Sequence, residues 1–176
     1  MKKDNIVLIG MPGVGKSTVG VILAKLLGYQ FLDADLLIQR EAGKLLREII
    51  AEQGVDGFIA MENRVNAAIS AEHTIIATGG SVVYGKEAMA HLQKLGTVVY
   101  LMAPYPVLEK RLADIEGRGV VIREGQSLRD IYTERTPLYE KYADLCVSGD
   151  DCSVEQTVKN VINKLDFGNN NRAINE

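Results

Sequence analysis

The sequence predicts an α/β fold built on an open parallel sheet, and three observations carry that prediction. Short apolar runs alternate with helical patterns from end to end of the 176 residues, with no internal repeat and no linker. The first run, Ile6 to Ile9, leads directly into Gly10-x-x-x-x-Gly15-Lys16-Ser17, the spacing of a phosphate-binding loop between a buried strand and a helix. Several later runs end in polar or glycine-rich residues, and in an open sheet ligands bind outside the carboxyl ends of the strands.

The elements follow in order. After the strand at Ile6 to Ile9, a helix from Ser17 to Leu27 shows its periodicity through Val19, Ile22, Leu23, Leu26 and Leu27. Gly28 stops it, and Tyr29 to Leu32 forms a second strand ending at Asp33. A helical stretch from Leu36 to about Gln53, interrupted near Gly43, meets Gly54-Val55-Asp56-Gly57, and another helix runs from Phe58 to about Ser70. Thr74 to Ala77 is a third strand ending in Thr78-Gly79-Gly80-Ser81. A helix from about Lys86 to Leu95, closed by Gly96, leads to a fourth strand at Thr97 to Met102, and Pro104 opens a helix to about Asp114. Residues 116–126 hold three glycines without clear periodicity and read as a mobile loop. A helix from about Ser127 to Tyr142, kinked or divided at Pro137, a short strand at Leu145 to Val147 and a helix from about Ser153 to Leu165 complete the set. The expected organisation is one domain over residues 1–167, with a disordered tail over 168–176, where three consecutive asparagines stand.

The loop spacing has a chemical reason. Glycines let successive backbone N–H groups turn toward phosphate oxygens, and the helix that follows adds the positive end of its dipole. Lys16 would reach the β- and γ-phosphates of a nucleotide, and the Ser17 hydroxyl would ligate Mg2+. The candidate nucleotide-binding set is therefore Gly13, Val14, Gly15, Lys16, Ser17 and Thr18, joined by Arg111, which flanks an adenine ring or sits on a solvated helix face. At the second strand end, Asp33-Ala34-Asp35 spaces two carboxylates so that one faces the metal and the other a hydroxyl-bearing substrate; Asp35 also stands where an N-cap for the next helix is expected. Gly79 and Gly80 allow close approach of a ligand to backbone, or make a plain turn. Arg118, in the glycine-rich loop, is placed to stabilise a transferring phosphoryl group, the alternative being a solvated surface arginine. Arg135 would clamp a substrate carboxylate, or pair on the surface with Glu134 or Glu140.

Composition narrows the function classes. A net charge of −3 and a pI near 5.5 argue against a general nucleic-acid surface. No apolar stretch approaches a membrane span, and two cysteines without a signal peptide point to a reducing cytoplasm. Neither His73 nor His91 has ligand spacing for zinc or a nucleophile partner.

Taken together, the phosphate loop, Asp33-Ala34-Asp35, Phe58 with Glu62 four residues on, Gly79-Gly80, Arg118 and Arg135-Thr136-Pro137-Leu138-Tyr139 resemble the shikimate kinase family, small P-loop kinases of the nucleoside monophosphate kinase fold. The resemblance spans about residues 5–165. It implies a three-layer α/β/α domain with a five-stranded parallel sheet of order 2-3-1-4-5, and a lid over about 116–126 that closes on ATP. Carried over, Ser17 and Asp33 serve Mg2+, Lys16 and Arg118 the phosphates, and Asp35 orients the accepting hydroxyl; Lys16, Asp35 and Arg118 are thus the catalytic set. Arg135 binds the substrate carboxylate, with Gly79, Gly80 and position 59 lining the same pocket. The implied partner is a small-molecule substrate, with no nucleic acid or membrane, and the implied state is a cytoplasmic monomer.

The chain departs from the family pattern at three points. Ile59 stands where the family places a second carboxylate-binding arginine, Ser81 replaces the last of three glycines, and Gly119-Val120-Val121 follows Arg118. Losing an arginine–carboxylate contact costs on the order of 2 to 5 kcal/mol when the partner stays buried, enough to change the preferred acceptor. The expected activity is ATP-dependent phosphorylation of shikimate to shikimate 3-phosphate. The alternatives are another small hydroxy acid such as homoserine, less so gluconate, and a non-catalytic nucleotide-binding regulator.

Overall fold

The computed structural model describes residues 4–113, 120–149 and 153–173. Five strands form one parallel sheet in the order β2-β3-β1-β4-β5: β1 Asn5–Ile9, β2 Gln30–Asp33, β3 Thr74–Ala77, β4 Gly96–Met102 and β5 Leu145–Ser148. The burial pattern agrees with this order. All five residues of β1, the central strand, are buried, with Val7 in register with Ile76 of β3 and Val98 of β4. Among the described residues seven helices flank the sheet and complete a three-layer arrangement: α1 Lys16–Leu27, α2 Ala34–Ala42, α3 Leu46–Ala67, α4 Lys86–Leu95, α5 Tyr105–Ala113, α6 Leu128–Tyr142 and α7 Val154–Ala173. Helix α1 packs on β3 and against α7, whereas α4 and α6 pack on β4 and α3 packs against α4.

Most of the buried apolar side chains belong to one core around β1, β3 and β4. A second, smaller cluster joins α2 and α3 through Ile38, Ile49, Phe58 and Val65 and includes Val121. This cluster positions the wall of the site, because it ties α3 to Val121 in the loop expected at 116–126. Residues 116–119 of that loop, Arg118 among them, lie outside the described residues. Residues 120–126 carry no helix or strand.

Four element boundaries differ from expectation. The break at Gly54–Gly57 contracts to Gly54 alone: with φ 71° and ψ 176° it turns the chain once, and α3 resumes at Val55. Pro137 does not divide α6, which runs unbroken from a capping box in which Ser127 Oγ accepts the Asp130 N–H at 3.2 Å and Asp130 accepts the Ser127 N–H at 2.7 Å. The turn after β3 winds into a short 3-10 segment, Val82–Tyr84, which three residues are too few to announce. Helix α7 continues to Ala173, past the expected end at Leu165 and through residues 168–173 of the expected tail; asparagines are weak helix formers rather than breakers. Among the described residues no helix is long and apolar enough to cross a membrane.

Candidate active site

The phosphate loop lies between the end of β1 and the start of α1. Gly13 and Gly15 have φ of 78° and 102°, so the loop is closed by conformations that other residues rarely adopt. Lys16 begins α1 and folds back over its own loop, its ammonium donating to the carbonyls of Gly10 at 2.7 Å and Met11 at 2.9 Å. The side chain is buried, and burial pulls its pKa down to about 8 against the opposing charge of Asp35.

At the end of β2 the two aspartates divide the work. Asp33 Oδ2 accepts from the Ser17 hydroxyl at 2.8 Å, while Asp33 Oδ1 accepts the backbone N–H of Asp35 at 3.0 Å. Asp33 is therefore the N-cap of α2, and the expectation that Asp35 caps the helix is corrected: Asp35 stands in the first turn. Burial, reinforced by the Asp33 charge and opposed by Lys16, raises the Asp35 carboxyl to about 6.

At the end of β3, Ser81 donates to Glu62 Oε2 at 2.5 Å, and the other oxygen of Glu62 is buried with no hydrogen-bond partner among the described residues. Burial outweighs the Ser81 contact and holds this carboxyl up at about 8. A side chain at Gly79 would press on Glu62 Oε1 and lie 2.9 Å from Asp35 Oδ1, so only glycine lets this backbone pass between the two acids. Tyr139, stacked on Tyr100, donates to the Gly80 carbonyl at 2.5 Å and fixes the same turn from α6.

Arg135 is 1 % exposed, which excludes the surface ion pair with Glu134 or Glu140. Its Nε donates to the Tyr84 hydroxyl at 3.1 Å, its Nη2 to the Val121 carbonyl, and its Nη1 is buried with no hydrogen-bond partner among the described residues. Glu134 instead accepts from Tyr84 at 2.6 Å and Gln126 at 3.0 Å. The guanidinium is thus held on two sides.

These groups face one cleft of about 550 Å3, lined by Gly13, Gly15, Lys16, Ser17, Thr18, Asp33, Asp35, Gly79, Gly80 and Arg135 from the expected set. Val14 and Arg111 line an adjoining recess with Gly149, Val154 and Thr157, where Arg111 Nη1 lies 3.5 Å from the Gly13 carbonyl and 3.4 Å from that of Val14. Ile59 is not among the cleft-lining residues: it packs on the cluster around Phe58, because that cluster offers an apolar side chain more buried surface than the polar cleft does. Arg118 lies outside the described residues. Polar lining residues outside the expected set include Glu62, Ser81 and Arg47. Glu62 shares a helix face with Phe58 four residues earlier, and Ser81 closes the strand-end Thr78-Gly79-Gly80-Ser81, so both carry a signal in the spacing, whereas Arg47 carries none.

Phosphate cradle and acidic wall open into the same cleft, which puts the chain among small-molecule phosphotransferases of the P-loop class. The family model described as shikimate kinase matches residues 12–166. The chain belongs to the shikimate kinase family. It is 35% identical over 155 residues to "Shikimate kinase 2" of Yersinia pseudotuberculosis, covering 83% of this chain and 87% of the relative. Among solved structures it resembles the shikimate kinase from Acinetobacter baumannii in complex with shikimate, with a TM-score of 0.86, 32% identity, and coverage of 96% of this chain and 95% of the other. The shikimate kinase from Aquifex aeolicus gives a TM-score of 0.80 at 31% identity, covering 93% and 97%.

Proposed function

We propose that this chain transfers the γ-phosphoryl group of ATP to the 3-hydroxyl of shikimate, as one domain over residues 1–167 acting as a cytoplasmic monomer. The observation that carries the reading is the placement in one cleft with Lys16 and Ser17 of Asp35 and of Arg135, whose Nη1 has no partner among the described residues. A nucleotide-binding regulator has no use for an acceptor-side carboxylate and a buried guanidinium beside it.

In this reading Lys16 leaves its loop carbonyls to contact the nucleotide phosphates, and Arg118 adds charge from the loop. Arg111 flanks the base in the recess beside Val14. Ser17 and Asp33 present a hydroxyl and a carboxylate oxygen in contact at 2.8 Å, a hard-oxygen pair that fits Mg2+. No group of three His, Cys, Asp or Glu side chains is gathered for a metal among the described residues, and Mg2+ held chiefly by phosphates and water needs none. When bound, Mg2+ would neutralise charge on the phosphates. Asp35 accepts a hydrogen bond from the attacking hydroxyl and takes its proton as the new O–P bond forms and the bond between the γ-phosphorus and the β,γ-bridging oxygen breaks, ADP leaving with that oxygen. Arg135 Nη1 donates to the acceptor's carboxylate, and Gly79 and Gly80 keep the floor of the cleft open.

The test is ADP release by the purified protein across an acceptor panel of shikimate, homoserine and gluconate. Turnover on shikimate with kcat/KM at least about a hundredfold above the others supports the reading. Preference for homoserine or gluconate, or no acceptor-dependent release, contradicts it.

A further inference from the structure

We infer that Arg47 supplies the second cation for the acceptor's carboxylate, the part that Ile59 cannot play; this rests on the shikimate reading and deepens it. Three cations line the cleft among the described residues: Lys16, Arg135 and Arg47. Lys16 stands over the phosphate loop, and Arg135 has one nitrogen without a partner among the described residues, since Tyr84 and Val121 hold the other two. A planar carboxylate has two oxygens, so a single guanidinium nitrogen leaves one of them to be met elsewhere.

The other arginines near this wall are already engaged. Arg64 is paired with Glu41, and Arg123 is paired with Asp56 at 2.6 Å; neither lines the cleft. The acids around Arg47 are engaged as well: Glu48 reaches back to accept the Leu45 N–H at 2.8 Å, and Glu52 pairs with Lys44 at 2.6 Å. Arg47 is exposed, with no ion-pair partner among the described residues, and follows Leu45 and Leu46, which line the cleft with it.

Its position in the helix supplies an independent argument. Arg47 is the second residue of α3, in the first turn, where the helix dipole is positive and a cation is unfavourable. A guanidinium there works against the helix, whereas an anion brought to it meets both the side chain and the dipole. The chain thus delivers its second cation from the start of α3, while the position after Phe58 is left to apolar packing.

Steady-state kinetics with ATP and shikimate test this, with thermal unfolding alongside. Arg47→Ala should raise KM for shikimate by about tenfold or more while kcat stays within about threefold. Its Tm should stay level or rise, since an unfavourable charge leaves the helix start, and Arg47→Lys should recover most of the loss. The uncharged methyl ester of shikimate should be bound equally by wild type and Arg47→Ala. Good wild-type turnover with an unchanged KM in Arg47→Ala would overturn the assignment and leave the shikimate reading standing. A wild type that hydrolyses or binds ATP but ignores shikimate would overturn both.

Discussion

The backbone N–H of Asp35 donates to Oδ1 of Asp33 at 3.0 Å, so the residue that caps α2 is Asp33 and the carboxylate of Asp35 is not spent on the helix. Capping and proton acceptance are thereby separable. Asp35→Asn should change stability by less than about 1 kcal/mol, a cap's usual worth, yet cut kcat by about a hundredfold or more. Steady-state rates and chemical denaturation on one preparation check both halves. Lost stability with normal turnover would return Asp35 to a structural role.

The pH profile follows from two charges in the cleft. Asp35 must be ionised to take the proton and is held up at about 6, whereas Lys16 must be protonated and is held down at about 8. For the free enzyme kcat/KM should therefore rise through about pH 6 and fall through about pH 8. Phosphates bound beside Lys16 favour its charged form, so the alkaline limb of kcat should lie higher than that of kcat/KM. Glu62→Gln should leave the alkaline limb in place, which assigns it to Lys16.

Glu62 makes a separate prediction about stability. Burial holds its folded-state pKa at about 8, above the ordinary carboxylate value of 4.5, so between those values the folded state holds a proton that the unfolded chain has lost. This contribution is fully present below about pH 4.5 and is lost as pH rises to about 8. Glu62→Gln keeps an acceptor for Ser81 and removes the titration. Wild-type Tm should fall relative to that of the variant between pH 5 and pH 8, measured by calorimetry. Parallel Tm curves would contradict it.

Gly79→Ala places a methyl against Glu62 Oε1 and 2.9 Å from Asp35 Oδ1. The substitution should cost about 1 to 3 kcal/mol, as overpacking does, and lower kcat through displacement of Asp35. Unchanged kcat would mean that the two acids are more loosely held than their burial implies.

Much of this was legible in the sequence because the signals were local. Lys16 and Ser17 stand in a motif whose spacing is set by phosphate geometry, and Thr74–Ala77 and Lys86–Leu95 begin and end where the apolar runs and glycines say. The sheet order came from family resemblance, since strand pairing is a long-range property that no window of sequence displays. What local reading could not supply was partnership. In sequence Arg135 is open to a carboxylate clamp or a surface pair with Glu134, and only its burial on α6 under Tyr84 and Val121 rules out the surface pair. Ile59 looks like a cleft residue until Phe58 and its neighbours take it into their own cluster. Arg47 is invisible for the same reason: only the packing of α3 brings the first turn of that helix to the cleft.

The most direct test of the central claim is phosphorus NMR of the purified protein incubated with ATP, Mg2+ and shikimate. The account predicts that the γ-phosphate signal of ATP declines as a phosphomonoester signal coupled to the proton at C3 of shikimate grows in step with ADP, and that Lys16→Ala, still folded, produces neither change. Inorganic phosphate as the only new signal, or a phosphomonoester formed equally well by Lys16→Ala, would contradict it.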